Sequence, residues 1–139
     1  MNPLFHEIFQ TTRDITNKLN SCLKEHDLYS SQWTILYTIN KNGPMSLTDI
    51  WKYLQVEAPT VTRTVARLEQ LDWIVRTEGE DRREKIVSFS EEGKKKFPAV
   101  LSSVLLFEEG LIETFNDEEQ QRLLELICKL KGRANHWRS

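Results

Sequence analysis

Apolar residues recur at helical spacing along most of this chain, and one stretch breaks the rhythm. Over about residues 4–25, Leu4, Ile8, Ile15, Leu19 and Cys22 fall on one stripe, with Phe5, Phe9 and Leu23 beside it. Gaps of three, four and seven predict an amphipathic helix. Leu28-Tyr29-Ser30-Ser31 reads as a turn and cap, and a second helix over about 31–41 carries Trp33, Leu36, Tyr37 and Ile39. Asn42-Gly43-Pro44 stops it, because glycine relaxes the backbone and proline disfavours helix at the residue before it. Ser46 and Asp49 form an S-x-x-D cap, the hydroxyl facing free amides and the carboxylate favoured by the helix dipole. The short helix behind it buries Leu47, Ile50, Trp51 and Leu54. After Gln55-Val56-Glu57, a helix over about 58–71 has Pro59 in its first turn, where a missing amide hydrogen does least harm. Its inner stripe is Val61, Val65, Leu68 and Leu71.

The period then switches. Residues 73–77 (WIVRT) and 85–89 (KIVSF) are β-branched and aromatic rich, and a charged segment, 78–84, joins them. They predict a two-stranded hairpin with a charged tip. A long helix follows over about 91–115, with Phe97, Val100, Leu101, Val104, Leu105, Leu111 and Ile112 as its apolar set. Pro98 lies inside it and predicts a kink or a restart. Asn116-Asp117-Glu118-Glu119 is a further cap with acidic first turn, and the last helix, about 117–134, is expected to bury Leu123, Leu126, Ile127 and Leu130. The fold class is therefore mainly α with a small β-hairpin wing. Two helices joined by a tight turn and followed at once by a hairpin describe a winged helix-turn-helix, placed at 31–90 within a single domain of 139 residues.

Composition narrows the class. Charged residues are 29% and hydrophobic ones 39%, ordinary for a soluble globular protein. No apolar run reaches the roughly 18 residues of a membrane span, and the opening MNPLFHEIFQ lacks a basic leader, so a cytoplasmic location without a signal peptide is expected. Two cysteines, Cys22 and Cys128, make no disulfide framework and suit a reducing compartment. The formal net charge is −2. Between 58 and 89, Arg63, Arg67, Arg76, Arg82, Arg83 and Lys85 are balanced by Glu69, Asp72, Glu78, Glu80, Asp81 and Glu84. Net charge therefore gives nucleic-acid binding no support, and only the placement of the arginines does.

That placement is suggestive. The outer face of the helix at 58–71 shows Thr60, Thr62, Arg63, Thr64 and Arg67. Small hydroxyls let a helix enter a major groove about 12 Å wide, and arginine can bridge the two acceptors of guanine. The N-terminal half of a reading helix meets base edges, which favours Thr60, Thr62 and Arg63 over Arg67; Arg67 and Ser46 remain further candidate DNA contacts. Arg82 and Arg83 at the hairpin tip suit the narrow minor groove, and Asp81 is expected to hold one guanidinium by a bidentate pair. Each patch taken alone is more commonly a plain solvated face. Their order, 20 residues apart behind a capped short helix, carries the reading.

With those residues in view, the chain resembles the multiple-antibiotic-resistance regulator (MarR) family along nearly its whole length. LYSSQWTILYTINKNGPMSLTDIW is similar to the family's second helix and its approach to the helix-turn-helix. APTVTRTVARLEQLDWIVR resembles the recognition helix and first wing strand, and DRREKIVSFSEEG the wing signature. The resemblance implies a DNA-binding transcriptional regulator, commonly a repressor. It further implies a homodimer in which the helices at 1–28 and 91–139 form the dimerisation region and two lobes straddle a pseudo-palindromic operator in double-stranded DNA. By the motif match, Pro59, Thr60, Thr62 and Arg63 take the base- and phosphate-facing positions and Arg82 and Arg83 those of the wing. Many family members release DNA on binding a small, often phenolic, anion; Trp33 and Tyr37, one turn apart, are candidate lining for such an effector pocket, though such a pair is more often core. Three departures stand out: Gln55 and Glu57 in the turn where the family often has glycine and a hydroxyl cap, Asp72 where glycine is usual, and Pro98.

No cofactor or metal is expected: His6, His26 and His136 form no ligand-like cluster. Cys22, on or near an apolar stripe, reads as a small buried hydrophobe before it reads as a redox sensor. No phosphate loop, metal motif or activated nucleophile suggests an enzyme. The alternative to a DNA-binding regulator is a winged-helix protein–protein interaction module, an anti-repressor or scaffold, favoured by Glu57 and the low pI.

Overall fold

A computed structural model describes residues 2–81 and 83–137. Asn2 caps α1 (Pro3–Leu23) through its side-chain oxygen, which accepts from the Leu4 amide, with Pro3 in the first turn. The chain leaves α1 through a short 3₁₀ turn, Lys24–His26, and Asp27 in the left-handed region at φ 56°. In α2 (Ser30–Asn42) the Gln32 side chain reaches back to accept from the Tyr29 amide at 3.0 Å. Gly43, at φ 80°, ends α2 in a backbone conformation that suits glycine. There follow β1 (Met45–Ser46), α3 (Leu47–Leu54), α4 (Ala58–Gln70), β2 (Ile74–Glu78), β3 (Lys85–Phe89), α5 (Glu91–Ile112) and α6 (Asp117–Asn135).

The expected hairpin is one strand short. Met45 and Ser46 pair antiparallel with Val87 and Ile86, so the sheet has three strands in the order β1-β3-β2. Two residues without alternation carry no periodic signal, and only tertiary pairing makes them a strand. Trp73, expected in the first hairpin strand, lies just before β2 and is buried. The β2–β3 register sets Arg76 opposite Val87 and Glu78 opposite Lys85.

The chain divides into two compact units, one up to Val104 and one from Leu105 on. In the first, the core joins Leu23 and Leu28 to Trp33, Leu36 and Ile39 of α2, Ile50 of α3, Val61, Val65 and Leu68 of α4, and Phe97, Val100 and Val104 of α5. Trp33 stacks on Phe97 with ring centroids 5.4 Å apart, and Phe89 meets Phe97 edge-on at 5.2 Å. Such aromatic contacts add about 1 kcal/mol each beyond area burial. Leu71 is only partly buried at the edge of this core. Pro98 neither ends nor restarts α5: the helix runs through it, its ring exposed, while Phe97 and Val100 on either side are locked into the core. Packing of the flanking turn offsets the one hydrogen bond that proline removes.

In the second unit, Asn116 and Glu119 cap α6 reciprocally, with amide-to-side-chain distances of 2.8 and 3.0 Å. Here the expected burial does not occur. Leu123, Leu126, Ile127 and Leu130 remain 37–53% exposed, and no residue of α6 is buried. The apolar stripe of α1 behaves likewise over Leu4, Phe5, Phe9 and Ile15. The helical periodicity is present, but one copy of the chain does not cover these stripes.

Candidate nucleic-acid interface

The helix-turn-helix is built from α3, a sharp turn and α4. Ser46 accepts from the Asp49 amide at 3.0 Å and so caps α3. Ser46 is buried, unlike Pro59, Thr60, Thr62, Arg63, Arg67 and Arg83; it caps α3 rather than offering a free surface. The turn is made by Gln55 in the left-handed region at φ 57°, whose amide returns to the Trp51 carbonyl. Glu57 then leads into α4 with its carboxylate making no capping bond.

On α4, Val61, Val65 and Leu68 point into the core, so Pro59, Thr60, Thr62, Arg63 and Arg67 are exposed around the other faces. At about 100° per residue, Arg63 lies nearly opposite the buried stripe. Arg67 reaches Gln70 Oε1 at 3.2 Å. Thr62 Oγ1 donates to the Ala58 carbonyl at 3.0 Å and Thr64 Oγ1 to the Thr60 carbonyl at 2.9 Å.

Two ties fix the wing against α4. Arg76 on β2 grips Glu69 on α4 with its Nη2 and Nε, at 2.8 and 3.4 Å. Hydrogen bonding to Arg76 holds the Glu69 carboxyl below its usual range, and the same bond raises the Arg76 guanidinium. At the other end, Ser90 Oγ donates to the Asp72 carbonyl at 2.7 Å and accepts from the Gly93 amide at 2.9 Å. Asp72 itself adopts φ 61°, so aspartate does hold the left-handed turn where glycine is usual. Gly93 is needed for closeness: a Cβ there would stand 2.1 Å from the Trp73 carbonyl oxygen.

The tip closes through the Gly79 amide on the Glu84 carbonyl and the Glu84 amide on the Asp81 carbonyl. Asp81 does not pair with the Arg83 guanidinium. Its carboxylate accepts the backbone amide of Arg83 at 3.0 Å, the local turn that aspartate forms two residues ahead of itself. The Arg83 side chain is exposed. Arg82 lies outside the described residues.

The balance of charges over 58–89 resolves unevenly. Glu69 is taken by Arg76, and Glu78 stands 4.0 Å from Lys85. Among the described residues, Arg63, Arg67 and Arg83 make no ion pair. Two of the six acids thus sit on bases of the wing strands. Arg63 and Arg67 on the outer faces of α4 keep their charge without an acidic partner among the described residues, while Arg83 shares the tip with Glu80, Asp81 and Glu84.

Trp33 is in the core, while Tyr37 is 46% exposed, with its ring centroid 6.2 Å from that of Trp33. Neither lines either of two hollows found in the first unit. One, about 650 Å³, lies at the helix-turn-helix turn between Trp51, Val56 and Pro59. The other, about 750 Å³, lies where Asn20 and Lys24 at the end of α1 face Tyr29 and Gln32 of α2 and Arg67 of α4. Cys22 is half-buried, its Sγ 3.5 Å from the Ser103 carbonyl; burial, and then Glu25, push its thiol up.

A three-stranded wing beside a capped helix-turn-helix, with unpaired arginines on the outer face of the second helix, defines a helix-turn-helix transcriptional regulator. The sequence profile of the MarR family matches residues 28–85. The chain is 46% identical over 124 residues to the HTH-type transcriptional regulator YwoH of Bacillus subtilis, covering 89% of this chain and 90% of that protein. Its fold is similar to that of a mutant MarR from E. coli complexed with operator DNA, with TM-score 0.86, 22% identity and coverage of 93% and 94%. It is also similar to a MarR/EmrR family transcriptional regulator from Acinetobacter sp. ADP1, with TM-score 0.87, 21% identity and 96% of both chains. The chain belongs to the MarR family.

Proposed function

We propose that this protein is a homodimeric repressor that binds a pseudo-palindromic operator, with α4 in the major groove and the wing tip in the adjacent minor groove. The observation that carries the reading is the separation of faces on α4: Val61, Val65 and Leu68 are buried, while Thr60, Thr62 and Arg63 are exposed and Arg63 has no acidic partner among the described residues. Pro59, Thr60, Thr62 and Arg63 supply the contacts to bases and phosphates, Arg67 flanks them, and Arg82 and Arg83 serve the minor groove. Ser46 contributes by capping α3. The similarity to a MarR solved with operator DNA supports the duplex as ligand.

The uncovered apolar stripes support the dimer. Leu4, Phe5 and Phe9 on α1 and Leu123, Leu126 and Ile127 on α6 are each 41–62% exposed, and a second copy of the chain removes them from water at about 25 cal/mol per Å². The hollow holding Lys24 and Arg67 is the better seat for a small anionic or aromatic effector than Trp33 and Tyr37, because Trp33 is core. An anion drawn to Arg67 there engages a residue that also flanks the reading face.

The test is fluorescence anisotropy of the purified protein with duplexes from upstream of its own gene, over a range of salt. Binding whose log affinity falls linearly with log salt supports the repressor, since phosphate contacts release counterions. No binding at low salt replaces it with the protein–protein module that exposed Glu57 favours. Aromatic acids added to the bound complex test the effector.

A further inference from the structure

Resting on the DNA-binding reading above, we infer that Thr60 and Thr62 read different chemistry: Thr62 recognises an A·T pair through its methyl group, and Thr60 acts through its hydroxyl. The two lie two residues apart on the exposed part of α4, but their donors are used differently. Thr62 Oγ1 donates its only hydrogen to the Ala58 carbonyl at 3.0 Å. A phosphate oxygen, guanine N7 and O6, and thymine O4 only accept, so Thr62 can bond none of them without giving up that bond. What this exposed side chain has left is its methyl group and the remaining lone pairs of Oγ1. In the major groove the thymine 5-methyl is the apolar partner, and the adenine N6 amino group of the same pair is a donor. A C·G pair offers an amino group but no methyl, and a base pair read from its guanine side offers neither at that edge. An A·T pair therefore matches both things Thr62 has left.

Thr60 is the opposite case. Its carbonyl accepts from Thr64 Oγ1 at 2.9 Å, but among the described residues its own hydroxyl has no partner, and its side chain is exposed. It keeps a free donor at the N-terminal end of α4, which suits a phosphate oxygen or a base acceptor.

The inference predicts mirror-image responses to isosteric substitution. A duplex is first selected from a random library by the wild-type protein, and variants are titrated against it by anisotropy. Thr62→Val, which keeps the methyl and loses the hydroxyl, binds within twofold of wild type. Thr62→Ala loses about fourfold per half-site, the worth of one methyl taken from water. Replacing the contacted thymine by uracil costs the wild type the same factor, and costs Thr62→Ala nothing more, because the contact is already gone. Thr60→Val, in contrast, weakens binding more than Thr60→Ser. If Thr62→Val falls as far as Thr62→Ala, or uracil is neutral at every selected thymine, the inference is overturned while the repressor reading stands. If the wild type selects no sequence and binds no duplex at low salt, the repressor reading fails first and this inference falls with it.

Discussion

Arg76, on the first long wing strand, is joined to Glu69 on α4 by two hydrogen bonds of 2.8 and 3.4 Å. The pair spans the turn between α4 and β2 and ties the wing strand to that helix. Both side chains are partly exposed, at 29% and 38%, which places the pair at about 1 kcal/mol, the upper end for surface ion pairs. Glu69 is held below its usual carboxyl range, so its contribution is present above that range and is lost as pH falls through the lowered folded value. The Arg76 guanidinium is raised, and its loss would come only in strong alkali. Urea unfolding should show Glu69→Gln and Arg76→Met each destabilising at neutral pH, with their coupling vanishing under acid conditions.

Gly93 should tolerate no side chain. Alanine there would place a carbon 2.1 Å from the Trp73 carbonyl oxygen, a backbone atom that also accepts from the Ser90 amide at 3.0 Å. The start of α5 must move away from the turn, at a cost of about 3 kcal/mol. Thermal unfolding of Gly93→Ala measures it.

Arg63 should govern selectivity as well as affinity. Arg63→Ala is expected to lose about 1–3 kcal/mol on the preferred operator and less on mismatched duplexes. Arg63→Lys should not restore the difference, because an ammonium cannot bridge both guanine acceptors. Arg83→Ala should weaken binding across sequences and flatten the salt dependence. Competition titrations with base-pair variants of a selected operator separate the two patterns.

The exposed stripe of α6 should hold the dimer. Ile127→Glu, at a position 53% exposed in one copy, would put a charge against a second copy's apolar surface. Sedimentation should show monomer, and operator affinity should drop by at least two orders of magnitude as bivalency is lost.

Cys22 should be a slow thiol. Its Sγ faces the Ser103 carbonyl and its acidity is suppressed by burial, so little thiolate forms at neutral pH. A disulfide reagent should modify the exposed Cys128 first, and peroxide should leave DNA binding of the Cys128→Ser variant unchanged.

Much of this was legible in the sequence. Stripes such as Val61, Val65 and Leu68 report the helix and the face that is apolar; whether that face is covered within one chain they do not report, and on α6 it is not. The caps at Ser46 and Asn116 and the left-handed turn at Asp72 are local, within a few residues of chain, and so are readable from composition. What the sequence could not rank was the fate of donors and charges. Asp81 precedes two arginines, and nothing in that order says that its carboxylate takes the Arg83 amide rather than the Arg83 guanidinium. Six acids against six bases gives zero on paper. Only the packing of β2 on α4 matches Glu69 with Arg76 and leaves Arg63 free.

By itself, then, the chain determined its helices, its wing and which face of α4 looks outward, because those follow from periodicity and from hydrogen bonds between near neighbours. The tertiary structure decided that Met45 and Ser46 complete the sheet and that the hollow beside Lys24 includes Arg67 but not Trp33. The same structure assigns Thr62 a committed donor and leaves the Thr60 donor free. These depend on partners distant in sequence, or on a single side-chain rotamer. No spacing of residue types can encode either.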